Sequence, residues 1–431
     1  MLALLLALQG LMSPVQAQTD SLPQITLNEA LQRAARLDPN YVAALGQVDN
    51  AVWARRSAFS VFVLPSISLG TTATRNTPKF FNFGTLRPEK YAVQSTITAS
   101  YDLFLGGQKF AELSRSGAAL ESAHAGELEQ RFITALLTES DYYAALAADD
   151  LNRVAQERLR RAREQLAIAR ARVVSGAAVS TDSLNLRLEL IRAEVAQLQQ
   201  QSAVRVARLE LGRRVGADGP VLAAPLDTTP APALPVTLAD AITQAAQQGP
   251  QYREAAANER AASAVVRSRL GAYLPHATLS WTGVGFDNKF LPSGAKFSQL
   301  SLTVSFPLFD NLRREASLSQ ARVNRDVFRA IRQDMDRAVQ HDVTAAYDNY
   351  VTSREAADLY QQGLAVARES FRVQQNRYTA GATTILDLLD AQLNLSQAEA
   401  TLVQARYGTR LALAGLESIL GKRLFTDKGT P

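Results

Sequence analysis

The sequence has no cysteine, only three histidines, and no uninterrupted apolar run long enough to cross a membrane as a helix. Without cysteine, a disulfide framework and a lipid-modified cysteine at a mature N-terminus are both excluded. His124, His276 and His341 are too far apart to form a ligand motif, and the chain has no nucleophile elbow and no phosphate-binding glycine loop. The sequence therefore predicts no enzyme, no cofactor and no metal site.

An excess of charge of one sign is also missing. The chain has 46 Lys and Arg against 41 Asp and Glu, and the two signs are interspersed along its 431 residues. Nucleic-acid binding favours a clustered basic patch, which this sequence lacks, so we predict no nucleic-acid partner. The apolar fraction of 47% is that of a folded protein and not of a disordered one.

Residues 1–17 have the layout of a secretory signal peptide. Residues 2–8 form a short apolar core, Ala17 ends a small-residue cleavage site, and a polar segment begins at Gln18. The first basic residue is Arg33, so no basic segment precedes the core, and the same residues could form a helix of the mature fold. We predict a signal peptide over residues 1–17 and an exported protein.

Most of the chain occurs twice, about 205 to 211 residues apart. The segment RVVSGAAVSTDSLNLRLELIRAE from Arg172 corresponds to RYTAGATTILDLLDAQLNLSQAE from Arg377, and TLNEALQRAARLDPNY from Thr26 corresponds to TLADAITQAAQQGPQY from Thr237. A long internal repeat predicts a duplicated structural scaffold. The predicted domains are a first repeat over residues 18–216, a Pro-rich linker over 217–236 and a second repeat over 237–425.

Each repeat contains two segments with period-2 alternation, which predict β-hairpins at about 62–105 and about 275–309. Strands of about ten residues with Ser and Thr on one face and apolar residues on the other are typical of outer-membrane barrels. A soluble sandwich sheet would show the same alternation. Because a closed membrane barrel needs about eight strands, four strands per chain would require several chains. Candidate interfacial aromatic residues are Phe62, Tyr91, Trp281, Phe286 and Phe306.

Two long segments without proline predict exceptionally long helices. They run from residue 107 to about 174 and from 311 to about 378, roughly 67 residues each. At a rise of about 1.5 Å per residue, each helix would approach about 100 Å. Such helices need lateral support from other helices. Turns at the tips are predicted at about 174–181 and about 378–384.

The helix predicted from Ile385 to about Tyr407 carries three stripes at spacings of three and four. Two are mainly apolar and predict coiled-coil seams with two different neighbours. The first seam is Leu386, Leu389, Leu393, Ser396, Ala400 and Val403. The second seam is Leu388, Ala391, Leu395, Ala398, Leu402 and Ala405. The third stripe is polar: Asp387, Asp390, Asn394, Gln397, Thr401 and Gln404. Its counterpart in the first repeat is Asp182, Asn185, Glu189, Arg192, Ala196 and Gln199.

The polar stripe has two interpretations. It is either an ordinary solvated outer face or the lining of a water-filled duct inside a ring of helices. Asp387 and Asp390 lie three residues apart on one face. Acidic residues also suit the N-terminus of a helix, where they complement the helix dipole. Repeated around a symmetric ring, however, the same carboxylates would form a negative constriction that favours cations.

The segment R-Y-x-x-G-x-x-T-x-L-D-x-L-D-A at residues 377–391, with SGAAVSTD in the first repeat, resembles the TolC family of outer-membrane efflux proteins. The resemblance extends over residues 27–421. It implies a mainly α fold with a membrane β-barrel part: three copies form a twelve-stranded barrel, continued by a long periplasmic α-helical barrel. An exported coiled-coil scaffold or adhesin without a pore is the alternative.

The resemblance also implies a function and partners. The chain would be the outer-membrane exit duct of a tripartite efflux pump or a type I secretion system. It would act as a homotrimer in outer-membrane lipid. Its protein partners would be a periplasmic adaptor (membrane fusion) protein and an inner-membrane efflux transporter or ABC exporter.

Site residues follow from the same resemblance. The periplasmic gate and selectivity ring would be formed by Asp387 and Asp390. The latch that holds the inner helices closed would be formed by Tyr378, Asp182 and Thr181. The adaptor would contact the tips at Gly176, Ala177, Gly381 and Ala382. One departure is clear, because Thr383 stands where the best-known member has a latch arginine.

Overall fold

The structure is a computed structural model that describes residues 22–82, 86–176, 178–226, 232–287 and 296–425. The predicted signal peptide, residues 1–17, lies outside the described residues. The helices are α1 (Leu27–Leu37), α2 (Pro39–Val63), α3 (Gln108–Val174), α4 (Ser180–Arg214), α5 (Leu238–Gln248), α6 (Pro250–Gly271), α7 (Arg313–Thr379) and α8 (Ile385–Leu420). The strands are β1 (Gln24–Ile25), β2 (Ser66–Asn82), β3 (Arg87–Leu105), β4 (Leu222–Ala223), β5 (His276–Asp287) and β6 (Lys296–Ser305). None of the described helices is long and apolar enough for a membrane crossing.

Both repeats begin with the same pair of helices, set by the same residue types. The hydroxyl oxygens of Thr26 and Thr237 each accept the N–H three residues later, at 3.3 and 3.2 Å. These bonds satisfy a backbone donor that the first turn would otherwise leave unpaired. Pro39 and Pro250 then open the second helix of each pair, where proline loses no helical hydrogen bond. The duplicated sequence thus encodes duplicated helix starts.

The two predicted hairpins form one antiparallel sheet in the order β2-β3-β5-β6. The inner strands of the two hairpins pair along their length, with Ser100 opposite Ser280 and Thr98 opposite Thr282. In the described chain, β2 and β6 each have a partner on one side only. Apolar side chains such as Leu69 and Leu300 are largely exposed. Among the described residues, therefore, none pairs with the outer edges of this sheet, and its apolar side chains remain exposed. Phe62, predicted as an interfacial aromatic of the hairpin, lies instead in helix α2, where its ring packs edge-on against Phe110.

The long helices have the predicted lengths. Both α3 and α7 contain 67 residues. Each follows two residues with positive φ, Gly106 and Gly107 in the first repeat and Asn311 and Leu312 in the second. A leucine in this region is strained by about 1–2 kcal/mol relative to a right-handed conformation. The turn before the long helix therefore has positive φ values in both repeats, although only the first repeat has glycines there.

One compact unit comprises the described parts of residues 1–34, 138–229 and 359–407. Its core draws on four helices, α3, α4, α7 and α8. Helix α7 contributes residues seven apart, Leu364, Phe371 and Tyr378. Helix α8 contributes Leu388, Ala391, Leu395 and Leu402, which belong to the second predicted seam. The burial of these four members is confirmed, and Ala398 and Ala405 of the same seam are half-buried. Leu386 and Leu393 of the first seam remain more than half exposed.

A second compact unit comprises the described parts of residues 35–137, 230–358 and 408–431. It contains the four-stranded sheet and a core of its own. This core includes Ala241, Tyr252, Val343 and Leu416. The end of the Pro-rich segment is held here by Tyr350, whose hydroxyl donates to the carbonyl of Pro232 at 2.7 Å.

Candidate functional site

The turns at the ends of α3 and α7 share one geometry. Gly176 and Gly381 have φ values of +74° and +75°, which glycine adopts without a steric penalty. After α7, the Gly381 N–H donates to the Tyr378 carbonyl at 3.0 Å, and the Ala382 N–H donates to the Arg377 carbonyl at 2.8 Å. This pair of bonds is the Schellman motif that ends a helix. Gly176, Gly381 and Ala382 are exposed at these tips, whereas Ala177 lies outside the described residues.

The Asp387 carboxylate accepts hydrogen bonds from residues at the start of α8. Its Oδ2 accepts hydrogen bonds from the Thr384 hydroxyl (2.7 Å), the Thr383 hydroxyl (2.8 Å) and the Thr384 N–H (3.1 Å). In return, the Asp387 N–H donates to the Thr384 hydroxyl oxygen at 3.3 Å. This reciprocal arrangement is a capping box. The helix-terminal interpretation of Asp387 therefore holds in the single chain, and Thr383 is part of this cap.

The bonds from Thr384 and then from Thr383 lower the pKa of Asp387 below its ordinary value. They favour the ionised carboxylate, because all of these donors interact with its negative charge. A lowered pKa means that the cap is complete above the ordinary carboxylate pKa and is lost as pH falls through the lowered value. Asp387 is therefore ionised at neutral pH.

The polar stripe of α8 is exposed, as predicted, except that Thr401 is half-buried. Asp390 lies one turn after Asp387 and accepts a hydrogen bond from the Asn394 side-chain amide at 3.0 Å. One turn further on, Gln397 donates to the Thr401 hydroxyl at 3.2 Å. The stripe is thus linked along the helix by pairs four residues apart. It presents two carboxylates near the tip and neutral polar groups farther along.

The corresponding stripe of α4 is interrupted, contrary to the sequence prediction. Glu189 is buried, and its carboxylate pairs with Arg158 of α3 at 2.7 Å. A buried carboxylate needs such a partner, because an unpaired charge away from water is costly. Glu189 therefore belongs to the α3–α4 interface and not to the exposed polar face.

The structure brings Tyr378 and Asp182 together. Tyr378 is 4% exposed in the last turn of α7, and its hydroxyl donates to the Asp182 Oδ2 at 3.4 Å. This distance is longer than in a strong O–H···O bond. Burial, followed by the Asp182 charge, raises the pKa of Tyr378, so the phenol is a neutral donor at pH 7. Thr181, the remaining predicted latch residue, is exposed at the start of α4.

Asp182 is available to Tyr378 because its own helix lacks a capping hydroxyl. Asp182 and Asp387 are equivalent at the repeat offset of 205, and both occupy the first turn of their helices. The equivalent of Thr384 is Val179, the N-cap of α4, which has no side chain that can cap. The two equivalent carboxylates therefore have different roles. Asp387 caps its own helix in the second repeat, whereas Asp182 reaches another helix in the first.

The structure adds Arg172, to which the sequence assigned no role. Its guanidinium donates to the Tyr378 carbonyl and lies over the Tyr378 ring, 4.8 Å from the ring centroid. In the sequence, Arg172 is marked only by its equivalence to Arg377 in the repeat. That equivalence does not distinguish one arginine from the other as a partner of Tyr378. Tyr378 is thus contacted by a cation from α3 and an anion from α4.

Two helices of this unit also expose apolar seams. On α4, Leu184, Leu188, Ile191, Val195 and Leu198 follow spacings of four and three and are each about half exposed. The opposite face of α4 is buried through Leu186 and Ala193. On α7, Leu359, Val366 and Val373 lie seven residues apart and are also exposed. Such spacings are typical of a seam that packs against another helix.

Comparisons with known proteins give consistent matches. A family model described as "Outer membrane efflux protein" matches residues 31–217 and 241–422. Protein CyaE of Bordetella pertussis is 30% identical over 208 residues, which span 46% of this chain and 41% of that protein. The pyoverdine export outer membrane protein OpmQ of Pseudomonas putida is 25% identical over 461 aligned residues, covering 98% of this chain and 93% of that protein.

A solved structure agrees with this fold. The crystal structure of the outer membrane protein VceC from Vibrio cholerae has a TM-score of 0.76 and covers 93% of this chain and 97% of that chain. Its sequence identity of 17% makes this a match of fold. This chain therefore shares the fold of a known outer-membrane protein, with its helix pairs, hairpins and long helices.

Proposed function

The chain belongs to the outer membrane efflux protein family, and from this premise we propose that it forms an exit duct. It is an outer-membrane protein of efflux and not an enzyme. The proposed duct serves a tripartite efflux pump or a type I secretion system. Its proposed partners are a periplasmic adaptor and an inner-membrane transporter or ABC exporter.

The observation that carries this proposal is the pair of uncovered seams on α4 and α7. Both seams consist of apolar side chains that the described part of the chain leaves exposed. Full burial of one such side chain contributes about 1.5–3 kcal/mol. We propose that α4 of one copy packs against α7 of the next. A head-to-tail contact between different surfaces closes into a ring when its rotation permits.

The sheet supports several copies for a separate reason. Its outer strands, β2 and β6, each lack a partner on one side in the described chain. In lipid, a backbone N–H or carbonyl without a partner costs several kcal/mol. Pairing of β2 with β6 of a neighbouring copy would satisfy both edges. Three copies would supply twelve strands in a closed barrel, consistent with the proposed homotrimer in outer-membrane lipid.

In such a ring, the polar stripe of α8 would line the duct. Asp387 and Asp390 would then form the periplasmic gate and selectivity ring, because their carboxylates would recur around the axis. We propose Tyr378, Asp182 and Thr181 as the latch. The tips at Gly176, Ala177, Gly381 and Ala382 are proposed to meet the adaptor.

We also propose that the duplication defines the domains of the duct. The first repeat covers residues 18–216, the linker 217–236 and the second repeat 237–425, after a signal peptide over 1–17. The equal lengths of α3 and α7 support this division. So do the threonine caps at Thr26 and Thr237.

The proposal is tested by single-channel recording in planar bilayers. Tyr378→Phe combined with Asp182→Ala removes the hydrogen bond that joins α7 to α4, so we expect a higher conductance than that of the wild type. Tyr360→Phe is a matched control, because Tyr360 is exposed on the same helix. Unchanged conductance in the double variant would remove Tyr378 and Asp182 from the gate. A purified wild-type protein that forms no channel at all would contradict the exit duct.

A further inference from the structure

We propose that Arg172 is a further member of the latch, which positions Tyr378 and clamps the ends of α3 and α7 together. This inference rests on the proposed exit duct and its gate. It concerns a residue that no sequence pattern assigned to that gate.

The first support is the double contact between the Arg172 guanidinium and Tyr378. The guanidinium carbon lies 4.8 Å from the ring centroid, within the range of a cation–π interaction. At the same time, one of its nitrogens donates to the Tyr378 carbonyl. Arginine suits such a site because its planar fork stacks on an aromatic face and still donates hydrogen bonds at its edge. The side chain and the backbone of Tyr378 are therefore held by one residue.

The second support is the position of that carbonyl. Tyr378 lies in the last turn of α7, and its carbonyl also accepts the Gly381 N–H of the tip turn. The last carbonyls of a helix carry partial negative charge and favour a nearby cation. Because Arg172 comes from the last turn of α3, it completes the end of a different helix. Movement of α7 away from α3 would break both contacts at once.

The third support is the closeness of Arg172 to the tip turn. A Cβ placed on Gly381 would lie 3.4 Å from a terminal nitrogen of Arg172. The guanidinium therefore lies against the backbone of the turn that follows α7. Asp182 of α4 approaches the hydroxyl end of Tyr378. Tyr378 is thus held at its backbone and ring face by Arg172 and at its hydroxyl by Asp182.

The repeat provides a matched comparison within the chain. Arg377 is the equivalent of Arg172, but it is exposed and donates to the Ala382 carbonyl of its own turn at 3.3 Å. The two arginines have the same charge and the same offset of four residues from a tip glycine. Arg172 contacts Tyr378 on a different helix, α7, whereas Arg377 bonds within its own turn.

The test compares Arg172→Gln with Arg377→Gln as full-length trimers in planar bilayers. For Arg172→Gln we expect about a fivefold rise in the fraction of open time, at the low end of typical coupling between sites. For Arg377→Gln we expect the wild-type value. Arg172→Lys keeps the charge but not the planar fork, so we expect an open fraction between those of the wild type and Arg172→Gln. Thermal unfolding of each trimer separates a gating effect from general destabilisation.

The outcomes distinguish this inference from the proposed function. A wild-type trimer without conductance contradicts the exit duct itself. If the wild type conducts and Arg172→Gln gates like the wild type, the role of Arg172 is overturned, but the proposed exit duct is not contradicted. Equal increases in both glutamine variants would also overturn it, because loss of charge at the tip would then suffice. If Arg172→Gln fails to assemble, wild-type gating in Arg172→Lys would be the overturning result.

Discussion

At the scale of single residues, the two repeats show how one neighbour decides the role of a carboxylate. Asp387 accepts hydrogen bonds from Thr384 and caps α8, whereas Asp182 follows Val179 and reaches Tyr378 instead. The aspartates are equivalent in sequence, so their spacing predicts the same role for both. The difference arises from a hydroxyl that is present at one N-cap and absent at the other.

This difference predicts the effect of Val179→Thr. The new hydroxyl would recruit Asp182 into a capping box, so the bond to Tyr378 would weaken while α4 gains about 1 kcal/mol from its cap. We expect a larger open fraction in bilayers together with a higher thermal unfolding midpoint. Val179 is exposed, which leaves room for the new side chain.

Val179→Ala is the matched control for that substitution, because it changes the same position without adding a hydroxyl. Its gating should remain that of the wild type. If Val179→Thr raised stability but left gating unchanged, Asp182 would not be shared between the cap and the latch.

Sequence reasoning found some of these residues and missed others for physical reasons. The resemblance pointed to Tyr378 and Asp182, and the structure brings their side chains to 3.4 Å. Arg172 was not predicted because Arg377 has the same charge and the same spacing from its tip glycine. Only the packing of the four helices makes the contacts of the two arginines different. Side-chain contacts across a helix interface leave little trace in a linear pattern.

At the scale of elements, helices α3 and α8 both carry buried polar side chains in this unit. Arg161 of α3 pairs with Glu399 of α8 at 2.9 Å, with both side chains largely buried. Gln165 lies four residues after Arg161 on α3, and Gln392 lies seven residues before Glu399 on α8. Gln165 and Gln392 are 2% and 1% exposed, and their amide atoms have no hydrogen-bond partner among the described residues.

The buried Gln392 amide predicts that Gln392→Leu stabilises the protein. A buried amide without a partner costs about 1–3 kcal/mol, and leucine of similar size removes that cost. We expect a higher unfolding midpoint in urea at a fixed protein concentration. Gln397→Leu serves as the control, because Gln397 is exposed on the polar stripe and bonds to Thr401. A lower midpoint for Gln392→Leu would mean that the Gln392 amide is satisfied, for example by water.

Periodicity predicted the elements better than it predicted their neighbours. The two helices of 67 residues and the paired hairpins follow from proline-free segments and alternating residues. The second seam of α8 is buried, as its spacing indicates. Glu189 was misplaced, because a polar residue at stripe spacing can turn inward when Arg158 is there to pair with it. A stripe identifies a helix face but not what covers that face.

At the scale of the whole molecule, the open sheet edges and the exposed apolar seams bear on how copies of the chain assemble. The sequence indicates that four strands are too few for a closed barrel, and the structure adds two apolar seams that the described residues leave exposed. Both features support the neighbouring copies that we propose. The choice of three copies comes from the family resemblance and remains part of the proposal.

The seam of α4 offers the sharpest test of assembly. Ile191 lies at its centre, so Ile191→Glu would place a charge where we propose that α7 of the next copy packs. Burying an unpaired carboxylate there is costly enough to disfavour association. We expect mainly monomers in detergent by native mass spectrometry, where the wild type should give trimers. Gln199→Glu adds the same charge to an exposed position of the polar stripe on the same helix and should leave the trimers intact. Intact trimers of Ile191→Glu would mean that the seam faces lipid or solvent, and the ring of helices would then need a different contact.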